Sequence, residues 1–558
     1  MSLICTLGAA LCSSLQGIVP SIPGVTTVPL PVVDLGYNLQ QATSYNLQYD
    51  LYLFYDVRYA APPTGPNRFR APQDPVTNRS SVQTGGSQWA CPQAVPKWQS
   101  IPSQFFPQYE NGTTNFTQGE FQETDPPTSP QYARETEDCL FLDLYVPRSV
   151  YQNAAKPGAP SIPVVVQIYG GGFIQGAKDL NPGGWFVRDK EQGGNGIIFV
   201  SINYRLGAFG WLAGSTLQKN GDANAGLLDQ HFALQWVQKY VSKFGGDPNN
   251  VTVIGESAGG GSIMHQITAS GGSSNAPAFN KAIVQSPGFH PIDQDSVNEA
   301  TFQAFLDLLN VSTIADARQL SFDDVYAANA RQVGNAPYGQ FVYGPAVDGT
   351  FVPGLPSQLL EDGKFHKNVT VMVGHNADEG ILFTNPYVQN DTAFLQDVGS
   401  WMPPQAATNT SLAYINSTLY PPVFDGTHNY TNQIARTAFA ISELVFTCNT
   451  FYLDKAFNNQ THAYLFAVPP AYHGLDVGYT YYTDLETTDP STQVAVNMQR
   501  YFLHFVKTGN PNGADEIFNP WSEYGIAATE VVFNTTGNLR LQRDETANGR
   551  CNWWQENL

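Results

Sequence analysis

The stretch Val251-Thr-Val-Ile-Gly-Glu-Ser-Ala-Gly-Gly260 decides how this chain is read. Residues 251–254 are four β-branched residues in a row, the composition of a strand buried on both faces of a parallel sheet. Gly255-Glu-Ser-Ala-Gly259 then fits G-x-S-x-G, a serine on a sharp turn from strand to helix, with glycines that let backbone crowd past it. Gly260 and Gly261 leave further room. Ser262-Ile-Met-His265 begins a helix whose N-terminal amides point at charge developing near Ser257. Upstream, Phe244-Gly-Gly-Asp-Pro248 ends a helix on a glycine pair and turns the chain into the strand. Alone, the five-residue motif describes any exposed serine turn. The strand before it and the glycines after it give it chemical meaning.

Working outward, residues 140–146, 162–168 and 197–203 read as strands before the serine, and 281–286, 368–373 and 462–468 as strands after it. Residues 227–244 read as a helix with Ala233, Val237, Val241 and Phe244 on one face and Lys239 and Lys243 near its C-terminus, where the helix dipole favours cations. Alternating strands and helices predict an α/β fold with a central, mostly parallel sheet. Residues 13–46 read as an irregular lead-in with short edge strands. Residues 91–139, rich in Pro, Gln, Thr and Tyr, lack the periodicity of a core element and read as a surface flap. No internal repeat or domain boundary is visible, so residues 15–558 are expected to form one domain with long insertions.

Composition narrows the function. With 558 residues, 42% of them hydrophobic, the chain can bury a large core. Its formal charge is −20, from 27 Lys+Arg against 47 Asp+Glu. No basic run is present, which argues against nucleic acid and anionic membrane as partners. No apolar run is long enough to span a bilayer. Residues 1–14 read as a signal peptide, with an apolar stretch and small residues near Ala10, although no Lys or Arg precedes Arg58. Sequons at Asn78, Asn111, Asn115, Asn250, Asn310, Asn368, Asn390, Asn409, Asn416, Asn429, Asn459 and Asn534 point the same way, to export and N-linked glycans. Cys5 and Cys12 would leave with the signal. Cys91, Cys139, Cys448 and Cys551 remain as an even set suited to two disulfides, with the pairing open. None has C-x-x-C spacing, so no zinc site is expected.

An activated serine needs a base, and the base needs an orienting acid. His428, His462, His473 and His504 lie late enough in the chain to follow an acid loop. His428 is in a sequon-rich loop, His462 opens a strand, and His504 sits in an apolar helix as a core residue. His473 follows a strand and two prolines, and Gly474 gives it backbone freedom, so it is the expected base. For the acid, Asp378 and Glu379 both follow a strand, and either equally caps the next helix. Gly170-Gly-Gly172 follows another strand, where backbone amides can converge with that of Ala258 on an oxyanion.

These stretches, with Arg58-Tyr-Ala-Ala-Pro-Pro-Thr-Gly65, Glu137-Asp-Cys-Leu-Phe-Leu-Asp143, Asn203-Tyr-Arg-Leu-Gly-Ala-Phe-Gly210, Gly226-Leu-Leu-Asp-Gln230, Asn376-Ala-Asp-Glu-Gly380 and Lys507-Thr-Gly-Asn-Pro511, run almost from end to end. The chain resembles type-B carboxylesterases, the cholinesterase-like branch of α/β-hydrolases that includes secreted fungal esterases and lipases. The resemblance implies an α/β-hydrolase fold and a secreted serine carboxylic-ester hydrolase. It places the nucleophile on Ser257, the base on His473 and the acid on Glu379 rather than Asp378. It puts the oxyanion amides on Gly171, Gly172 and Ala258 and pairs Cys91 with Cys139 and Cys448 with Cys551. It implies a small-molecule or lipid ester as substrate, and no metal or cofactor. The 91–139 loop is longer than in cholinesterases, and Trp98 is not spaced like their choline-stacking tryptophan, which speaks against choline esters. In lipase relatives this loop is a lid, so a triacylglycerol or sterol-ester lipase is the alternative. An alternative of another class is a non-catalytic binding or adhesion protein on the same fold, although such relatives lack the serine.

Overall fold

The computed structural model describes residues 28–558, apart from 131–133, 155, 157, 274–276, 484–489, 514–519 and 536–538. The signal-peptide reading of residues 1–14 therefore lies outside the described residues. In chain order the strands are β1 Val32–Asp34, β2 Asn38–Gln41, β3 Ser44–Asn46, β4 Leu51–Arg58, β5 Asn78–Gln83, β6 Phe141–Pro147 and β7 Ile162–Ile168. They continue with β8 Ile198–Ile202, β9 Gly246–Glu256, β10 Lys281–Gln285, β11 Thr370–Asn376, β12 His462–Phe466, β13 Thr529–Phe533 and β14 Arg540–Arg543.

A small sheet, β1-β2-β5, lies beside a sheet of eleven strands ordered β14-β13-β12-β11-β10-β9-β7-β8-β6-β4-β3. Every pair from β13 across to β8 is parallel, and the strands beyond each end are antiparallel. The parallel centre follows from composition. Val164, Val166, Val251, Val253 and Val284 enter one hydrophobic cluster, whereas Val165, Phe199, Ile254, Ile283 and Met372 enter another. Successive side chains go to opposite faces, and both faces are covered. This is the architecture of an α/β-hydrolase, with Ser257 at the end of the central strand β9.

The structure differs from the sequence reading in several places. The turn expected at 246–248 is already strand, because Gly245, at φ 96°, ends the preceding helical segment alone. The 91–139 loop is not a plain flap. It contains the helix Pro102–Glu110, and Phe105, Phe106, Phe116 and Phe121 are buried in the main core. Lacking helical or strand periodicity, these aromatics meet only through tertiary folding. Short strands β13 and β14 and the helix Gly549–Asn557 were not anticipated. His504 is no core residue: it is half-buried near the end of the helix Pro490–Thr508, with Nδ1 donating to the carbonyl of Asn510 at 3.2 Å. Disulfides join Cys91 to Cys139 and Cys448 to Cys551.

Candidate active site

The candidate site begins with backbone strain. Ser257 has φ 59° and ψ −122°, a conformation that costs a non-glycine residue about 1–3 kcal/mol. Three backbone bonds hold it there. Its N–H donates to the carbonyl of Gln285 at 3.1 Å, and its carbonyl accepts from Gly261 at 2.8 Å and Gly288 at 3.0 Å. The turn demands glycine at position 259, where a Cβ would stand 2.1 Å from the carbonyl oxygen of Ile168. The helix Ala258–Ile267 starts directly after the serine, so its unpaired N-terminal amides face the hydroxyl.

The acid and the histidine arrive on neighbouring parallel strands, β11 and β12, which run to the same sheet edge as β9. Their loops are stitched together where Asp378 bridges Tyr472 and its N–H donates to the carbonyl of Ala471 at 3.0 Å. That stitch places Glu379 beside His473. Nδ1 of His473 donates to Oε2 of Glu379, and Nε2 accepts from Oγ of Ser257 at 2.7 Å. Of the two acids left open by the pattern, Glu379 meets the imidazole. Asp378 meets Tyr472 instead, and burial, then the charge of Glu379, pushes its carboxyl up to about 6. His428 stacks on Tyr430, and His462 packs beside Phe505 and Trp521 on β12, both away from the serine.

Charge around His473 is dense. Burial alone would lower its pKa, but Glu256, then Glu379 and Asp476, outweigh burial and raise it to about 9. Glu256, the residue before the serine, brings Oε1 to 3.3 Å from Nε2 of His473. Burial raises the Glu256 carboxyl to about 8 against the pull of His473. The two groups compete for one proton. When Glu256 holds it, the charge that raises the imidazole is gone, and His473 is free to accept from Ser257. Glu379 behaves in the opposite way. Burial pushes it up, but the His473 ring and the Ser286 hydroxyl, which donates to Oε1 at 2.7 Å, hold it below its ordinary value. The Asn376 side chain donates to Ser286, Glu379 and Asp476, and Asp476 also accepts from Gln285 at 2.9 Å and Tyr464 at 2.8 Å. Sequence reasoning missed this shell of Glu256, Ser286, Asn376 and Asp476. Only the Glu in G-E-S-A-G carried any local signal.

The Gly170-Gly-Gly172 loop packs against the serine turn. Gly171 sits at φ 104°, and a Cβ there would stand 2.3 Å from the carbonyl of Gln175. A small cavity of about 30 Å³ adjoins Ser257, Ala258 and Gly172, walled by Phe289, Phe341 and Trp401. It has room for about one water. Phe446 and Phe383 pack on the His473 ring at 4.4 and 5.1 Å between centroids. The 91–139 loop packs against Tyr472, the residue before His473. Phe106 lies 4.6 Å from the ring of Tyr472, and the Tyr472 hydroxyl donates to Glu110 at 2.9 Å. Trp98 is buried, its indole N–H bonded to the carbonyl of Gln340 at 2.8 Å, so it does not face the site as a cation platform.

Comparison with known proteins identifies the family and the fold. The carboxylesterase family matches residues 38–554. The chain is 38% identical to "Carboxylesterase patB" of Aspergillus clavatus over 554 residues, covering 96% of this chain and 98% of that protein. It is 32% identical to a "Secreted lipase" of Arthroderma benhamiae, covering 78% of this chain and 85% of that one. Among solved structures, EstA of Aspergillus niger superimposes with a TM-score of 0.76 at 25% identity, covering 94% of this chain and 98% of that one.

Proposed function

The chain belongs to the carboxylesterase family and is a carboxylic-ester hydrolase, and from that premise we propose that it works by acyl transfer through Ser257. His473 is the base in this reading, and Glu379 is the acid that orients it. One observation carries it: the imidazole bridges Glu379 and Ser257, with 2.7 Å between Nε2 and Oγ.

Ser257 Oγ attacks the ester carbonyl as its proton passes to Nε2 of His473. Glu379, buried and bonded to Nδ1, keeps that nitrogen protonated and stabilises the imidazolium that forms. The amides of Gly171, Gly172 and Ala258 are the donors for the oxyanion, each worth a factor of about 10²–10³ in rate. Collapse expels the alcohol, which takes the proton from His473 and leaves an acyl-Ser257 ester. Water then attacks the acyl carbon and gives its proton to His473. The acid departs as His473 returns that proton to Ser257.

The small cavity beside Ser257 supports short acyl groups as substrates. Longer ones require the aromatic wall to move. We read the protein as secreted: a similar protein is a "Secreted lipase", two disulfides are present, and sequons such as Asn78, Asn111, Asn310 and Asn368 are exposed.

Hydrolysis of p-nitrophenyl esters of increasing acyl length, with wild type beside Ser257→Ala, tests the reading. The expected result is a short-chain optimum that disappears in the variant. A long-chain optimum that rises at an oil–water interface would replace it with the lipase reading and make the 91–139 loop a lid. Inactivity on every ester, or full activity in Ser257→Ala, would overturn the assignment.

A further inference from the structure

A second buried histidine sits among carboxylates on the same sheet. His375 is on β11, Glu530 on β13, and Asp544 directly follows β14. One ring nitrogen of His375 and one carboxylate oxygen from each acid all lie within 4.8 Å of one another. Exposure is 8% for His375 and 3% for each acid. Strand register creates the cluster. Val373 pairs with Ala463, and Ala463 with Glu530, so His375 stands two residues further along the face that carries Glu530. Asp544 is fastened alongside by its N–H to the carbonyl of Ala528 at 2.7 Å.

Two features point to a missing positive partner. Among the described residues, no Lys or Arg forms an ion pair with Glu530, Asp544 or the nearby Asp454. Buried carboxylates without a counter-charge are costly. Independently, Nδ1 of His375 donates to the carbonyl of Asn376 at 3.0 Å, which leaves Nε2 as the ring nitrogen with a lone pair. Nε2 is buried and has no partner, and the same holds for Oδ2 of Asp454. Each acid is also oriented from behind. Gln542 donates to Glu530 at 2.8 Å, and Tyr524 and Thr546 donate to Asp544 at 2.6 and 2.7 Å. An imidazole held by a carbonyl and carboxylates held by further hydrogen bonds are the usual support around metal ligands.

We propose that His375, Glu530 and Asp544 bind one divalent transition-metal ion of the Zn²⁺ type, separate from the serine site. The imidazole donor selects against Ca²⁺ and Mg²⁺, which take oxygen ligands. Bonds of about 2.0–2.2 Å require the three side chains to close in by roughly an ångström around the ion. A water supplies the fourth position. The ion joins β11 to β13 and to the C-terminal segment, and so supports the strand that leads to Glu379.

The test is metal analysis of the full-length enzyme, as secreted and after unfolding in chelator and refolding with Zn²⁺. About one zinc per chain is expected, retained through dialysis and lost in Glu530→Gln/Asp544→Asn. Refolding with Co²⁺ avoids any variant: a visible d–d absorption band, displaced by Zn²⁺, is the expected signature. Wild type that holds no metal by either route, or equal zinc in wild type and double variant, would overturn the proposal and leave the cluster held by protons alone.

Discussion

His473 and His375 are both buried among carboxylates, yet their surroundings prepare them for different chemistry. His473 gives Nδ1 to a carboxylate, Glu379, and presents Nε2 to a hydroxyl. His375 gives Nδ1 to a carbonyl, Asn376, and its Nε2 meets no donor. A buried carboxylate on Nδ1 raises the affinity of the ring for a proton, which suits a base. A neutral carbonyl fixes the tautomer and leaves a lone pair, which suits a metal ligand. The partner of one nitrogen decides the task of the other.

This contrast is breakable by experiment. The largest effect is expected at the serine site. Ser257→Ala and His473→Ala should each lower kcat by about 10⁴-fold or more while the thermal midpoint stays within a few degrees. Stopped-flow or steady-state assay with p-nitrophenyl acetate reads the first, and calorimetry the second. A fall of less than tenfold in either variant would remove His473 from its side of the comparison.

Next comes the partner of Nδ1. Glu379→Gln keeps the shape but offers an amide where the carboxylate held the tautomer, and a loss of about 10³–10⁴ in kcat is expected. A nearly active variant would mean that the carboxylate does not distinguish the two histidines.

A smaller effect is expected at Glu256, whose Oε1 stands 3.3 Å from Nε2 of His473. Its charge raises the imidazole pKa, and His473 must be neutral to act as base. Removing the charge lowers that pKa, so Glu256→Gln should move the acid limb of the kcat/KM profile to lower pH. An unmoved or upward-shifted limb would show that Glu256 does not share the proton. The smallest effect belongs to His504→Ala. Half-buried and far from the serine, it should leave kcat/KM within about twofold.

The two sites also differ in how well the sequence displays them. The serine turn is local: strand, glycines and serine occupy ten consecutive residues, and the backbone conformation that Ser257 needs is written into its neighbours. His473 was identifiable because prolines and a glycine mark a loop after a strand. Glu379 could not be told from Asp378 by pattern, since adjacent residues share the same surroundings in the chain, and only the resemblance separated them. Ser286, Asn376 and Asp476 carried no local signal, and neither did His375, Glu530 and Asp544. Each is an ordinary polar residue in or beside a short strand, and what makes it special lies across the sheet.

By itself, then, the sequence determined the α/β class, the order of the central strands along the chain, the serine turn and the family. Those features rest on periodicity, glycine placement and short-range sterics, which act between neighbours. Only the tertiary structure decided how the 91–139 aromatics enter the core, and which polar residues share a buried pocket. Strand register and loop stitching bring together groups far apart in the chain, 94 residues for Glu379 and His473, and no property of either partner alone records the meeting.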